Sequence, residues 1–272
     1  MIITTKPDFR PTTLRRHVLH MAHSGNSVHI GCAFSLIEII SVLFSGVMRY
    51  SPTAADAPDR DHLVLSKGHG VMAIYAAYRE LGWLEQSDLD NYFSEGSKLH
   101  GLCEASIPGL EVCSGTLGHG LPIAVGMAYG LKRNGSDRTV YCIVGDGEMN
   151  EGPMWEAMLF AAHHNLDNLV VIVDANGLQA MGGTSEIINL EPFAAKFEAF
   201  GFNTIDCNGH DMPLLQTALR PTTGKPHAVI ARTVKGYGVS FMENKIEWHY
   251  LRLDPELLKN ALSELEAPEL LS

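Results

Sequence analysis

The chain lacks the features of a secreted, disulfide-stabilised protein. Its 272 residues include only five cysteines, an odd number, and no Cys-x-x-Cys pair occurs among them. Scattered cysteines favour reduced thiols over a disulfide framework or a zinc site. Residues 1–11 are polar and lack the apolar core of a signal peptide. We therefore predict a cytoplasmic protein.

Long apolar runs and clustered positive charge are also missing. No stretch reaches the roughly 18 consecutive apolar residues that a membrane-spanning helix needs. The formal net charge is −11, and no run of Lys and Arg is longer than two residues. Nucleic acid backbones attract clustered basic side chains. We therefore expect neither nucleic acid nor a membrane as a partner.

What the chain does contain is the composition and pattern of an α/β enzyme domain. Hydrophobic residues make up 46% of it, and there are 26 glycines. Short apolar runs predict strands at 62–65, 139–144, 169–173, 203–206 and 227–233. Between and around them, the pattern predicts helices at 12–22, 35–47, 71–81, 87–93, 121–131, 155–164, 192–200, 212–219 and 254–265. This alternation indicates a mainly parallel sheet flanked by helices, and we predict a single domain over residues 1–272. Gly126 and Gly130 are expected to let their helix pack closely on the sheet.

Polar residues follow two of the predicted strands and point to a metal-bound diphosphate. Asp146, between Gly145 and Gly147, follows the strand at 139–144, and Asn176 follows the strand at 169–173. Parallel sheets bind ligands beyond the carboxyl ends of their strands. Mg²⁺ is usually held by one or two protein oxygens together with phosphate oxygens. No Gly-Lys-Ser or Gly-Lys-Thr follows, so this is not a nucleotide-binding phosphate loop.

The order Gly-Asp-Gly, helix, strand, Asn resembles the thiamine diphosphate fingerprint. Further segments resemble, in the same order, the amino-terminal, diphosphate-binding half of a transketolase. They are His-Ile-Gly-Cys-Ala-Phe-Ser at 29–35, Leu-Ser-Lys-Gly-His-Gly at 65–70, His100 ahead of Pro-Gly-Leu-Glu-Val at 108–112, Ser-Gly-Thr-Leu-Gly-His-Gly at 114–120, Gly-His-Asp at 209–211 and the closing stretch at 235–249. The resemblance covers nearly the whole chain.

This resemblance implies a set of site residues. It assigns a divalent cation, Mg²⁺ or another such as Ca²⁺, to Asp146, Asn176 and Leu178. It assigns thiamine diphosphate to His69, Gly115, Thr116, Leu117, Gly147, Asn176 and His249. It assigns His29, His100 and His249 to the substrate channel as catalytic residues. An imidazole suits the channel because its ordinary pKa, near ~6.5, lets it donate or accept a proton at neutral pH.

Two features leave alternatives open. Glu151 and Glu156 are either first-turn carboxylates favoured by the helix dipole or, as the resemblance implies, residues of a subunit interface that links two active sites. Cys32-Ala33 and His119 depart from the family pattern near the substrate channel, which leaves the usual sugar specificity open, and Tyr250 stands after His249 where the family usually has glycine.

The chain lacks part of the machinery that the resemblance requires. In the family, a catalytic glutamate and an aromatic pyrimidine pocket come from a second α/β domain, and this sequence ends in a linker-like tail before one begins. We therefore predict a partner chain, the C-terminal transketolase subunit that carries the pyrimidine-binding domain. We also predict an α₂β₂ heterotetramer whose interface includes the helices at 121–131 and 155–164, and no activity of this chain alone.

The predicted function is that of the N-terminal subunit of a split transketolase. It would move a two-carbon ketol unit from a ketose, either a phosphate or an analogue such as a sulfonated or branched sugar, to an aldose. One alternative is a subunit of another thiamine diphosphate enzyme, resembling deoxyxylulose phosphate synthase or a 2-oxo acid dehydrogenase component. The other is a non-catalytic regulatory half. The sequence leaves the sugars and the pathway open.

Overall fold

A computed structural model describes residues 7–266 of the chain. Residues 1–6 and 267–272 lie outside the described residues. Three predictions therefore fall partly outside the described residues. They concern the signal peptide, the two ends of the predicted domain and the last residues of the linker-like tail. Within the described range, no helix is both long enough and apolar enough to cross a membrane.

The centre of the fold is a five-stranded, fully parallel sheet. Its strands are β1 (His62–Leu65), β2 (Val140–Gly145), β3 (Leu169–Ala175), β4 (Asn203–Asn208) and β5 (His227–Arg232). They are arranged in the order β1-β2-β3-β5-β4, and every pair is parallel. Every residue of β2 and β3 is buried, as their continuous apolar sequences require when helices cover both faces of a sheet. The predicted fold class is confirmed.

Eleven helices are found in the described part of the chain. They are α1 (Pro11–Ser24), α2 (Ile30–Phe34), α3 (Ile37–Val42), α4 (Met72–Glu80), α5 (Gln86–Asp90), α6 (Gly120–Arg133), α7 (Gly152–His163), α8 (Thr184–Ile187), α9 (Phe193–Ala199), α10 (Met212–Ala218) and α11 (Pro255–Leu265). Asp211 and Asp254 cap α10 and α11 by accepting hydrogen bonds from the backbone N–H groups of Leu214 and Leu257. Such caps satisfy N–H groups that the first helical turn leaves unpaired.

Two hydrophobic cores lie on opposite faces of the sheet. Because successive strand residues point to opposite faces, Ile143 and Ile172 pack with α1 to α4. Val144 and Val173 pack with α6, α7 and α9 on the other face. The carboxyl ends of the strands are thus held between two packed layers.

Two predicted helices have different boundaries in the structure. The helix predicted at 35–47 is regular only in α3, and a π-helical turn follows at Leu43–Val47. Gly46 has a φ of 145°, which no α-helix accommodates. The helix predicted at 87–93 is the shorter α5, and beyond it Phe93 has a φ of 58°. In both places the residue with positive φ lies a few residues beyond the end of the regular helix, four after Val42 and three after Asp90.

The expectation for Gly126 and Gly130 was wrong. A Cβ atom at either position would meet nothing within 4 Å, so both glycines lie on the outer face of α6 instead of against the sheet. Large apolar side chains lie on the same side of the molecule. Ile123 of α6 is 42% exposed, and Leu159 and Phe160 of α7 are 61% and 42% exposed. The two helices therefore present an apolar outer surface.

Candidate active site

A cavity of about 400 Å³ opens at the carboxyl ends of β1, β2, β3 and β5. Residues that follow each of these strands line it, together with residues of the loops around 29, 102, 117 and 249. They are His29, Cys32, Lys67, His69, Leu102, Gly115, Leu117, Gly145, Asp146, Gly147, Glu148, Asn176, Leu178, Gln179, Ala180, Met181, Lys235, His249 and Tyr250. This is the position at which open parallel sheets bind ligands.

Asp146 is fixed at the end of β2 by backbone donors. Gly145 lies opposite Asp174 in the sheet, so Asp146 is the first residue beyond the paired strands. Its carboxylate accepts from the N–H groups of Gly147 at 2.7 Å and Gly177 at 2.6 Å. It is only 4% exposed and forms no ion pair with a described residue. Burial and the neighbouring Asp174 charge raise the pKa of Asp146 to about 6, as expected for a carboxylate that lacks a compensating cation.

Asp174, the buried hub at the end of β3, links three segments of the chain. Its Oδ2 accepts from Ser35 Oγ at 2.7 Å and pairs with the Lys67 ammonium group, while its Oδ1 accepts from Thr233 Oγ1. Burial alone would raise the pKa of Asp174, but Lys67 outweighs that effect and lowers it. Removing one partner of such a buried pair typically costs about 3–5 kcal/mol. This network holds the ends of β1, β3 and β5 together.

Asn176 is oriented by Asp174. Its Nδ2 donates to Asp174 Oδ2 at 3.1 Å, and its Oδ1 accepts from the Leu178 N–H at 3.1 Å. Within the described chain, the neighbouring Gln179 leaves its buried Nε2 without a hydrogen-bond partner. A Cβ atom on Gly147 would come within 2.7 Å of Gln179 Cγ, so a larger residue there would displace the Gln179 side chain.

Glu148 connects the fingerprint to the loop before α6. Its Oε1 accepts from Ser66 Oγ and from the Gly118 N–H at 2.9 Å, and its Oε2 accepts from the Gly145 N–H at 3.1 Å. Burial raises the pKa of Glu148. The loop that contains Gly115 and Leu117 is therefore positioned by a buried carboxylate.

Three histidines of the cavity lining form a cluster. The ring centroids of His29 and His69 are 5.3 Å apart, those of His29 and His249 are 5.0 Å apart, and those of His69 and His249 are 5.5 Å apart. His29 has a left-handed backbone, with φ 70°, and donates its N–H to the His249 carbonyl at 3.1 Å. A residue that is not glycine rarely adopts this conformation outside a constrained site.

Burial and two nearby lysines keep these histidines neutral. Burial, then Lys235 and Lys67, lowers the pKa of His29 to about 4. Burial and Lys235 lower the pKa of His249 to about 3, and burial lowers the pKa of His69 well below its usual value. At neutral pH each ring therefore carries one proton and has one unprotonated nitrogen that can accept a hydrogen bond.

Lys235 lies in the turn after β5, and buried side chains hold the backbone of this turn. His210 accepts from the Val234 N–H at 2.8 Å and contacts Glu38 Oε2 at 2.9 Å. Arg15 pairs with Glu38 at 2.8 Å and donates to the Tyr237 carbonyl at 2.7 Å. The Gly-His-Asp segment at 209–211 therefore has a structural role, because its His210 belongs to this buried cluster.

Comparison with known proteins identifies the family. Residues 11–265 match the family model described as the transketolase, thiamine diphosphate binding domain. The chain belongs to this family. The resemblance seen in the sequence is thereby confirmed.

Relatives of similar length are transketolase subunits. The chain is 40% identical over 255 residues to one subunit of an apulose-4-phosphate transketolase from Actinobacillus succinogenes, covering 93% of this chain and 92% of that one. It is 38% identical over 242 residues to one subunit of a 6-deoxy-6-sulfo-D-fructose transketolase from Clostridium sp., covering 88% of each chain. Both relatives are named as subunits.

Solved transketolases share the fold but are much longer. The structure of transketolase from Campylobacter jejuni superposes with a TM-score of 0.88 at 32% identity, covering 94% of this chain. This chain spans only 42% of that transketolase. It therefore corresponds to the thiamine diphosphate-binding part of a transketolase.

The structure brings most of the predicted site residues of this transketolase domain together. The cavity wall includes His29, His69, Gly115, Leu117, Asp146, Gly147, Asn176, Leu178 and His249. Thr116 and His100 are exposed and do not line it. The His100 carbonyl accepts from the Tyr75 hydroxyl at 3.3 Å. The assigned roles of all these residues stay predictions.

Sequence reasoning did not single out Lys67, Asp174, Glu148, Gln179 or Lys235. Lys67 and Lys235 lie shortly after β1 and β5, so the rule that identified Asp146, a polar residue just beyond a buried strand, applies to them as well. The sequence therefore does contain a signal for both lysines, namely a polar residue shortly after each of these strands.

Proposed function

We propose that the chain is the thiamine diphosphate-binding subunit of a split transketolase that transfers a two-carbon ketol unit from a ketose to an aldose. The main support is the neutral cluster of His29, His69 and His249, which lines the same cavity as the acidic end of β2. The likeness over most of their length to two chains named as transketolase subunits adds to it.

Asp146, Asn176 and the backbone carbonyl of Leu178 would hold the divalent cation. Asp146 fits this role because it is a buried carboxylate that accepts hydrogen bonds from backbone donors only and has a raised pKa. A cation would compensate its charge. Three protein oxygens leave room in an octahedral shell for diphosphate oxygens and water, as Mg²⁺ prefers.

Thiamine diphosphate would lie in the cavity with its diphosphate toward Gly147, Gln179 and His69. The unpartnered Nε2 of Gln179 offers a donor for an oxygen ligand. The cavity volume is within the range of small-molecule sites, about 300–1,000 Å³. When bound, the cofactor supplies an electron sink for the two-carbon fragment. Gly115, Thr116 and Leu117 form the loop against which it would be held.

The channel histidines would bind sugar hydroxyls and move protons. Because His29 and His249 are neutral, each would carry one N–H donor for an oxygen of the sugar. Removal of one group that transfers a proton typically lowers a rate by ~10²–10⁴-fold. His100 belongs to this proposal through the family resemblance.

A second subunit would complete the site. The catalytic glutamate and pyrimidine pocket of the family would come from a C-terminal transketolase subunit, and two copies of each chain would form an α₂β₂ heterotetramer. The exposed Ile123, Leu159 and Phe160 fit such an interface, because large exposed apolar patches usually mark contact surfaces. Glu151 and Glu156 are exposed beside them and would link the two active sites. All five cysteines are free, which fits a cytoplasmic location.

The reaction class is tested with the assembled protein, thiamine diphosphate and Mg²⁺. Phosphorylated, sulfonated and branched ketoses are offered in turn with an aldose acceptor, a 2-oxo acid is offered in a separate assay, and products are followed by mass spectrometry. We expect an acceptor lengthened by two carbons and a donor shortened by two. Decarboxylation of a 2-oxo acid, without any ketose cleavage, would contradict the proposal and favour another thiamine diphosphate enzyme.

A further inference from the structure

One nitrogen of His249 lies between two hydrogen-bond donors. Lys235 Nζ is 2.9 Å from His249 Nδ1, and Cys32 Sγ is 3.5 Å from the same atom. The Nε2 of the ring has no hydrogen-bond partner among residues 7–266. The surroundings of the two nitrogens therefore differ sharply.

Lys235 is an unusual neighbour for an imidazole. It is only 1% exposed, and no carboxylate of the described chain forms an ion pair with it. Lys67, the other buried lysine of the cavity, is paired with Asp174. A buried ammonium group is costly without a hydrogen-bond acceptor, and His249 Nδ1 is the acceptor that the fold provides.

The position of Lys235 is fixed by its backbone. Its carbonyl accepts from the Asn244 N–H at 2.9 Å, and the next residue, Gly236, donates its N–H to the Gly31 carbonyl at 3.2 Å. A Cβ atom on Gly236 would lie 2.4 Å from the Met242 carbonyl oxygen, so glycine is required there. The turn therefore holds the Lys235 backbone in place, and the side chain reaches His249 from there.

The Cys32 thiol is the second neighbour of His249 Nδ1. Burial raises the pKa of the Cys32 thiol, so the sulfur keeps its proton at neutral pH. An S–H group is a weak donor. The Lys235 ammonium group has no acceptor and the thiol sulfur is only a weak one, so Nδ1 is better placed to accept than to donate.

We propose that Lys235, supported by Cys32, is a positioning residue that fixes His249 as the tautomer with its proton on Nε2. The hydrogen bond made by one imidazole nitrogen decides which nitrogen carries the proton. His249 would then present an N–H donor to an oxygen of the bound sugar or cofactor. The role of that donor in turnover rests on the proposed function, whereas the tautomer itself does not.

The tautomer is measured directly on the full chain. Histidine labelled with ¹⁵N is incorporated, and two-dimensional spectra at pH 7 are assigned by comparison with His249→Gln. We expect His249 to show a protonated Nε2 and an unprotonated Nδ1. A proton on Nδ1, or on both nitrogens, in the wild-type protein overturns the proposal without any variant.

Variants test the contributions of Lys235 and Cys32 to the tautomer separately. Lys235→Met should give a mixture of tautomers, whereas Lys235→Arg, which keeps a donor, and Cys32→Ala, which removes the more distant one, should keep the Nε2–H form. Lys245→Met is the matched control because Lys245 is exposed on the same segment. An unchanged His249 spectrum in a folded Lys235→Met protein contradicts the proposal.

Kinetics of the assembled enzyme supply the second readout. Lys235→Met should lower turnover by about 10- to 100-fold, as removal of a partner that orients a functional histidine commonly does. In a His249→Gln background the same change should cause no further loss, because the two residues act as one unit. Equal losses in both backgrounds overturn the positioning role. If no ketol transfer is found with any donor while the spectra agree, the proposed function fails and the tautomer assignment stands.

Discussion

The backbone N–H of His29 donates to the carbonyl oxygen of His249 at 3.1 Å and joins two distant parts of the chain at the cavity wall. His29 holds a left-handed backbone conformation, and the two rings lie at 89° to each other. The histidine cluster is thus built by backbone geometry, and side-chain contacts then tune it. This arrangement leads to predictions that separate cofactor binding from turnover.

Asp146→Ala or Asn176→Ala should abolish the binding of Mg²⁺ and thiamine diphosphate with little loss of fold. Each change removes one of the three protein oxygens of the proposed metal site. Calorimetric titration of the assembled enzyme measures the affinity, and circular dichroism checks the fold. Asp59→Ala, at an exposed aspartate, is the control. Unchanged affinity in both site variants would remove the metal assignment.

The histidine variants should fall into two groups. His69→Ala should weaken cofactor affinity, whereas His29→Ala and His100→Ala should spare it; all three channel variants, His249→Ala included, should lower turnover by ~10²–10⁴-fold or raise KM. Steady-state kinetics at saturating cofactor, together with cofactor titrations, distinguish the groups. Normal kinetics in all three channel variants would refute the channel model.

The stability of the cofactor-free chain should depend on pH through His29. Its pKa is about 4 in the folded chain and about 6.5 when unfolded. Between these values the unfolded chain binds more protons, so the free energy of unfolding falls as the pH drops from 6.5 toward 4. Above 6.5 this contribution is constant. Urea unfolding at pH 7.5 and pH 5 should therefore show a smaller acid-induced loss for His29→Gln than for the wild type. Equal losses would mean that His29 is not desolvated.

The outer surface of α6 and α7 should be an assembly interface. Leu159→Asp should weaken association by at least about 10-fold, because burial of a leucine side chain is worth about 1.5–3 kcal/mol. Leu214→Asp is a matched control, since Leu214 is 42% exposed on α10 at the other face of the sheet. Analytical ultracentrifugation measures the association. An equal effect of both changes would show that this surface has no special role.

The sequence predicts the sheet and the acidic end of the site because both depend on local signals. β2 and β3 are continuous apolar runs, and Asp146 and Asn176 lie just beyond them, so strand position alone brings them together. The buried pair of Lys67 and Asp174 was missed because it joins the ends of β1 and β3 through tertiary packing. The contact of Lys235 with His249 was missed for the same reason.

Helix boundaries were the least predictable part. Hydrophobic periodicity continues through Gly46, but that residue leaves the helix with a positive φ, which periodicity does not report. The outward orientation of Gly126 was likewise not predictable, because a small residue on a helix indicates close approach without saying to which partner.

The central claim, that this chain is one half of a split transketolase, is tested most directly by mixing purified subunits. The chain is assayed for ketol transfer with thiamine diphosphate and Mg²⁺, first alone and then with the protein encoded by the adjacent reading frame. Elution volume is measured in parallel. We predict no transfer by the chain alone, and transfer by the mixture together with a shift to the size of an α₂β₂ heterotetramer. Full activity of the chain in the verified absence of any partner would contradict the claim.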